Sequence, residues 1–382
     1  MSSFGFQPEL LDDSEALQRA DHGGLLRALA TAGAQVRRAV GVRDEFGVDR
    51  LRGDLVPRSV LVAPDASAPY LSSLIGALAS AAAPVLDWRA DQLPNWAGPA
   101  DALLVASVSG RHPRLAELVA QADRRGLALA VAAPAGSPVA AAAARHPIAD
   151  LGHLSAEPPR ALWWALATPT LQAADALGLL GIRDLNGLLE QAADCLDEVA
   201  EADRPDSSAY VGPAKLLAAE LAESVPVIAG IGPAATVAAR RIAGSVQLIG
   251  GSTAMAAALP DDVARIGSLL EFAVTERDFF ADRTTEVTVR PRLVLVGDDE
   301  PHSSEQQPGR DNLSDEAGRR AGAALAGLAM SRRIGVSRVL VPDAPQLVRF
   351  ASATASGDFA ATYLALARGV DPSGPRLGEL PQ

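Results

Sequence analysis

The sequence predicts an α/β fold in two lobes, each a mostly parallel sheet flanked by helices. Short apolar runs alternate with helix-length amphipathic segments, the connections between them are brief, and the same order recurs in the second half of the chain. A chain of 382 residues is long enough to bury a core in each lobe without disulfides or metals.

Residues 1–49 read as a helical segment, with Leu10, Leu17, Leu25, Leu26, Leu29 and Val36 at helical spacing. The first lobe spans 50–153. "RSVLVAPDASAPYLSSLIGALASAAAPVLDW" gives strand, loop, helix and strand. "ADALLVASVSGRHPRLAELVAQADRRGLALAVAA" repeats that order with Gly126 placed to stop its helix, and a short strand falls near Ile148. Residues 154–212 hold two connecting helices and the Pro- and Ser-containing linker "RPDSSAYVG". The second lobe, 213–382, opens with "PAKLLAAELAE", continues with "VPVIAGIGPAATVAARRIAG", and adds the strands "RPRLVLVGDD" and "RVLVP". A polar stretch at 300–316 reads as a mobile surface loop ahead of the helix "AGRRAGAALAGLAM".

A net charge of −12 disfavours non-specific binding to nucleic acid or anionic membranes. Apolar runs are interrupted by Pro and Gly, short of a spanning helix, and the N-terminus shows neither a basic nor an apolar signal region, so a cytoplasmic location is expected. Lys215 is the only lysine among many arginines, a pattern of genomic base composition rather than of function. Cys195 is the only cysteine; it fits a reducing compartment, and no Cys–His spacing points to a metal. The "GIG" at 230–232 is too short for a dinucleotide fingerprint, and no cofactor is expected.

The chemistry-bearing stretch is "SVSGRHP", between a strand and a helix. Ser107, Ser109 and Gly110 supply hydroxyls and backbone N–H groups at a helix start, where an anion is favoured; Arg111 and His112 add charge-assisted donors. The same serines would also simply cap the helix, with Pro113 in its first turn.

Taken together, "ALLVASVSGRHPRLAEL", "VGPAKLLAAELAESVPVIAGIG" and "GDFAATYLALARGVDPSGPRLGEL" resemble the bifunctional phosphoglucose/phosphomannose isomerases, a double-SIS (sugar isomerase) family, over nearly the full chain. The resemblance implies two SIS lobes, a homodimer, a phosphosugar ligand and metal-independent aldose–ketose isomerisation. It also implies phosphate contacts at Ser107, Ser109 and Gly110, with Arg111 and His112 beside them.

Other parts of the pattern are missing. The glycine-rich turn expected after the first strand reads "VLVAPDASAPYL", with Asp65, Pro64 and Pro69. The segments that carry the family's catalytic Glu and His read "SVQLIGGSTAMAAALPDDVARIG", with no Glu or His between Glu223 and Glu271. Each such group is worth roughly 10² to 10⁴ in rate. Asp261 and Asp262 are the nearest replacements, although "LPDDVARI" also reads as a plain helix start. Of the remaining histidines, His22 falls in a surface helix pattern, His146 and His153 flank a strand, and His302 lies in the polar loop. "WW" at 163 and 164 reads as core. The expected function is sugar-phosphate binding with weak or no turnover; the alternative is an active isomerase with rearranged catalytic groups.

Overall fold

The computed structural model describes residues 5–53, 55–80, 83–272, 290–297 and 311–374; His302 and most of the polar loop fall outside them. Contacts divide the chain into two compact units, Arg27–Asp197 and a second that joins the segment up to Leu26 with the chain from Glu198 onward. The N-terminal helical segment is thus apportioned between the units. Its helices are α1 (Ser14–Ala20), α2 (Leu25–Leu29), α3 (Ala32–Gly41) and α4 (Arg43–Phe46).

In the first unit the chain runs β1 (Ser59–Pro64), α5 (Leu71–Leu78), β2 (Val85–Asp87), β3 (Asp101–Ala106), α6 (Pro113–Arg125), β4 (Ala128–Ala133), α7 (Pro138–Ala142) and β5 (Ile148–Asp150). Two helices follow, α8 (Trp163–Ala176) and α9 (Leu185–Ala202). All strands are parallel, in the order β2-β1-β3-β4-β5. β1 and β3 are buried along their whole length, as strands covered on both faces must be. Leu61, Leu103, Val105, Leu118, Leu129 and Val131 join one cluster, each side chain contributing about 1.5–3 kcal/mol of burial. Trp163 and Trp164 lie buried edge to face, 5.0 Å apart.

The second unit runs α10 (Pro213–Leu221), β6 (Ser224–Ile231), α11 (Pro233–Leu248), β7 (Met255–Leu259), α12 (Val263–Phe272), β8 (Arg290–Val296), α13 (Asp311–Ser331), β9 (Gly335–Val339) and α14 (Gln346–Ala367). Its four strands are again parallel, in the order β7-β6-β8-β9. The α/β reading of two parallel sheets flanked by helices is borne out. Two boundaries move: α13 begins at Asp311, inside the stretch read as a loop, because a polar first turn satisfies a helix as well as it does a loop, and β9 runs Gly335–Val339, three residues ahead of the expected "RVLVP", with Leu340 left exposed. No helix of the described residues is long and apolar enough to cross a membrane.

Lys215 and Asp203 organise the second unit. Lys215 is fully buried, and its Nζ donates to the carbonyls of Leu11 (2.6 Å), Pro205 (2.7 Å) and Ser207 (2.6 Å). It also lies 5.3 Å from the centre of the Tyr363 ring. The Tyr363 hydroxyl donates to the Asp203 carbonyl at 2.5 Å. A charged ammonium tolerates burial only when its donors are used; here all three tie the N-terminal segment and the 205–207 turn to α10. Asp358 of α14 accepts from Arg241 and, at 2.6 Å, from Ser245, both on α11.

The Asp203 carboxylate accepts the Ala214 N–H at 2.7 Å through Oδ1, while Oδ2 has no hydrogen-bond partner among the described residues. Burial pushes its pKa up to about 6 from the ordinary 3.8. The folded state therefore disfavours the ionised form: this contribution to stability is complete below about pH 4 and is lost as pH rises through about 6. Asp203→Asn keeps an acceptor for Ala214 at every pH, so the wild type should lose on the order of 3 kcal/mol relative to the variant between about pH 4 and pH 7. Urea unfolding of both proteins across that range measures the difference. A difference that stays constant with pH would contradict the assignment.

Candidate functional site

In an open parallel sheet a ligand sits beyond the carboxyl ends of the strands, where the chain reverses its direction of travel across the sheet. In the first unit the chain goes from β1 to β2 on one side and then to β3 on the other, so the crevice lies between β1 and β3. Pro64 pairs with Ala106 in register, so the loops that follow, 65–70 and 107–112, leave the sheet at the same level. The second unit repeats the arrangement between β6 and β8, where Gly230 pairs with Val296.

All five sequence-predicted residues, Ser107, Ser109, Gly110, Arg111 and His112, lie on the first of these crevices. Ser107 is buried, and its Oγ accepts the Gly110 N–H at 3.0 Å. Ser109 is exposed, and its Oγ accepts the Arg111 N–H at 3.3 Å. Gly110 has φ +60°, and a Cβ there would lie 2.1 Å from the Ser137 hydroxyl oxygen that caps α7, so only glycine fits. Its carbonyl accepts the Val139 N–H at 3.0 Å, which fixes the loop to α7. Arg111 and His112 are exposed and form no side-chain hydrogen bond with a described residue. His112 is the N-cap position of α6 but does not cap it through its side chain.

The crevice already contains a carboxylate. Asp65, the first residue after β1, accepts the Val108 N–H at 2.8 Å through Oδ2 and the Ser67 N–H at 2.8 Å through Oδ1. The loop donors are thus largely committed: Val108 to Asp65, Gly110 to Ser107, Arg111 to Ser109, and Ser107 to the Ala132 carbonyl. The Ser109 and His112 N–H groups make no hydrogen bond to a described residue. Together with the Ser109 hydroxyl and the Arg111 and His112 side chains, they leave an outer rim for an anion; the floor of the crevice is held by Asp65.

Sequence reasoning noted Asp65 in place of the expected glycine-rich turn but not its bond to Val108. Nor were the contacts of Arg114 foreseen: its guanidinium donates to the Trp88 carbonyl (3.2 Å) and the Pro64 carbonyl (3.4 Å). Arg114 therefore faces the end of β1. Burial lowers its pKa, and nearby carboxylates, Asp65 among them, act in the opposite sense.

The second crevice is lined by Gly232, Gly297, Asp315 and Arg349 and encloses about 30 Å³, roughly the liquid volume of one water. A Cβ on Gly232 (φ +86°) would lie 2.4 Å from Asp315 Oδ1. Here too a carboxylate stands against a strand-to-helix turn. None of these four residues was singled out from sequence; Gly232 belongs to the "GIG" that was set aside as a dinucleotide site.

The other candidates serve the fold. Asp262 accepts the Ala258 N–H at 2.8 Å and pairs with Arg265, and both hold its pKa below the ordinary carboxylate range. It closes the turn after β7, away from the β6–β8 crevice, and Asp261 is exposed. His146 bonds Asp123 at 2.8 Å, and His22 lies in the turn after α1 rather than within a helix. Among the described residues no three His, Cys, Asp or Glu side chains gather as a metal site requires.

Residues 210–375 match the family described as the bacterial phospho-glucose isomerase C-terminal SIS domain. No curated protein matches the sequence. Among solved structures, a hypothetical protein from Thermus thermophilus is 15% identical, with 96% of this chain and 93% of that one covered and a TM-score of 0.64. Tagatose-6-phosphate ketose/aldose isomerase from Escherichia coli is 12% identical, with 95% and 96% covered and a TM-score of 0.60. The C-terminal domain of glucosamine-fructose-6-phosphate aminotransferase from Francisella tularensis is 11% identical, with 90% and 96% covered and a TM-score of 0.56. At these identities the likeness is one of fold, the two SIS-type lobes.

If Asp65 keeps anions from the crevice floor, Asp65→Asn should bind inorganic phosphate at least about fivefold more tightly, since removing one charge a few ångströms away is worth more than ~1 kcal/mol. Isothermal titration at low salt measures this. Equal or weaker binding by the variant would show that Asp65 does not govern access.

Proposed function

We propose, on the premise that residues 210–375 are a SIS domain of the bacterial phospho-glucose isomerase C-terminal family within a double-SIS fold, that this protein binds a sugar phosphate with weak or no turnover. The observation that carries the reading is the state of the first crevice. Its rim offers donors to a phosphate, while its floor carries a carboxylate already bonded through both oxygens.

Isomerisation needs a base to carry a proton between two adjacent carbons and an acid to open the ring, each within hydrogen-bond reach of the sugar. Asp65 is the carboxylate nearest the loop and serves as a staple. His112 is the imidazole of the loop and lies exposed on its outer side. A phosphate held by the Ser109 and His112 N–H groups, the Ser109 hydroxyl and Arg111 would leave the sugar ring at the surface, open to water. The alternative, an isomerase with relocated groups, would have to draw on Asp65 and His112, and it requires Asp65 to release Val108.

A homodimer and a cytoplasmic setting complete the reading; the single buried thiol, Cys195, accords with a reducing compartment. Incubation with fructose 6-phosphate, followed by ³¹P NMR, tests the proposal. The expected result is a broadened or shifted fructose 6-phosphate resonance with no new aldose 6-phosphate signal. New resonances that vanish in His112→Ala would establish the isomerase instead, and an unperturbed spectrum would remove fructose 6-phosphate as a ligand.

A further inference from the structure

The first unit contains a cavity away from the Ser107–His112 loop and larger than the crevice lined by Gly232 and Asp315. It encloses about 200 Å³ between α3, α8 and the end of β5. That is between six and seven water volumes at about 30 Å³ each, and it lies below the roughly 300–1,000 Å³ of drug-sized ligand sites. Its wall is mainly apolar, with Val42, Phe46 and Leu154 among the lining side chains.

Two features of α8 are out of place in an apolar wall. Gln172 is 1% exposed, borders the cavity, and its amide oxygen and nitrogen have no hydrogen-bond partner among the described residues. Such a group is costly to bury, since both halves of the amide forgo water without compensation. One turn earlier on the same face stands Pro169, inside the helix. Having no N–H, it leaves the Ala165 carbonyl, also on the cavity wall, without its usual donor four residues on.

Neighbouring polar groups, by contrast, are satisfied. Gln35 donates to Thr31 and to the Ala161 carbonyl and accepts the Ala165 N–H. Asp150 accepts the Ala135 and Gly152 N–H groups, and Glu157 pairs with Arg27. At the mouth, Arg38 is exposed and forms no ion pair with a described residue.

We propose that this cavity is a binding site for a small planar molecule, about the size of a nucleobase. The ligand presents a lactam or carboxamide edge to Gln172 and the Ala165 carbonyl, and an anionic group to Arg38. An amide edge supplies the donor and acceptor that Gln172 lacks; a flat ring suits the apolar wall; and the guanidinium at the opening selects an acid over a neutral ring.

Orotate, a cyclic imide with a carboxylate, is a direct probe, with uracil and benzoate as controls that each lack one of the two features. Calorimetric titration of the full-length protein should show saturable orotate binding with a Kd on the order of 0.1 mM or tighter, and clearly weaker binding of both controls. Arg38→Ala, at an exposed position, should weaken orotate by about threefold to fivefold and leave uracil unchanged. Gln172→Leu should raise the melting temperature of the free protein, because it removes an unpartnered buried amide, and should abolish orotate binding. Absence of saturable binding by orotate at millimolar concentration, benzoate binding as tightly as orotate, or wild-type affinity in both variants would each overturn the proposal.

Discussion

The bond from the Val108 N–H to the Asp65 carboxylate joins the two strands that define the first crevice. β1 and β3 end level with one another, and the last backbone hydrogen bond between them runs from the Asp65 N–H to the Ala106 carbonyl at 2.8 Å. Something must tie the two departing loops together, and a side chain from one loop that accepts an N–H from the other does so directly. The consequence is chemical as well as structural. The N–H that a phosphate would otherwise claim is already occupied, and by a group of like charge to any phosphate. In both crevices a carboxylate stands where the fold leaves room for an anion, Asp65 in one and Asp315 in the other.

Aspartates tie strand ends elsewhere as well. Asp150 accepts from Ala135 and Gly152, Asp262 from Ala258, and Asp101 from Gly98. In a chain so rich in alanine, side chains capable of pinning a loop are few, and the short Asp carboxylate reaches a neighbouring N–H with little loss of rotamer freedom. Residues in the middle and C-terminal segments that carry the resemblance follow the same logic. Asp358 joins α14 to α11, Tyr363 bonds the Asp203 carbonyl, and Lys215 gathers three carbonyls. These residues hold the fold together.

The architecture was legible because strand, loop and helix leave local marks: fully apolar runs at 60–64 and 102–106, Gly126 in the left-handed cap of α6, and prolines in the first turns of α6, α10 and α11. The Ser-x-Ser-Gly loop was legible for the same reason. What remained hidden depends on partners distant in sequence. Asp65 and Val108 are 43 residues apart, and Lys215 and Leu11 are 204 apart. Arg114 gave no sign that it faces the end of β1. Gln172 lies in a helix buried on nearly every side, where neither periodicity nor propensity separates a satisfied amide from an unsatisfied one.

The most direct test of the account follows the backbone amides of the loop by ¹⁵N NMR during titration with fructose 6-phosphate. The account predicts saturable shifts at Ser109 and His112 and little change at Val108, whose N–H stays with Asp65. If no loop amide moves, or if Val108 moves most while aldose 6-phosphate accumulates, the picture of a rim-binding, non-isomerising protein is contradicted.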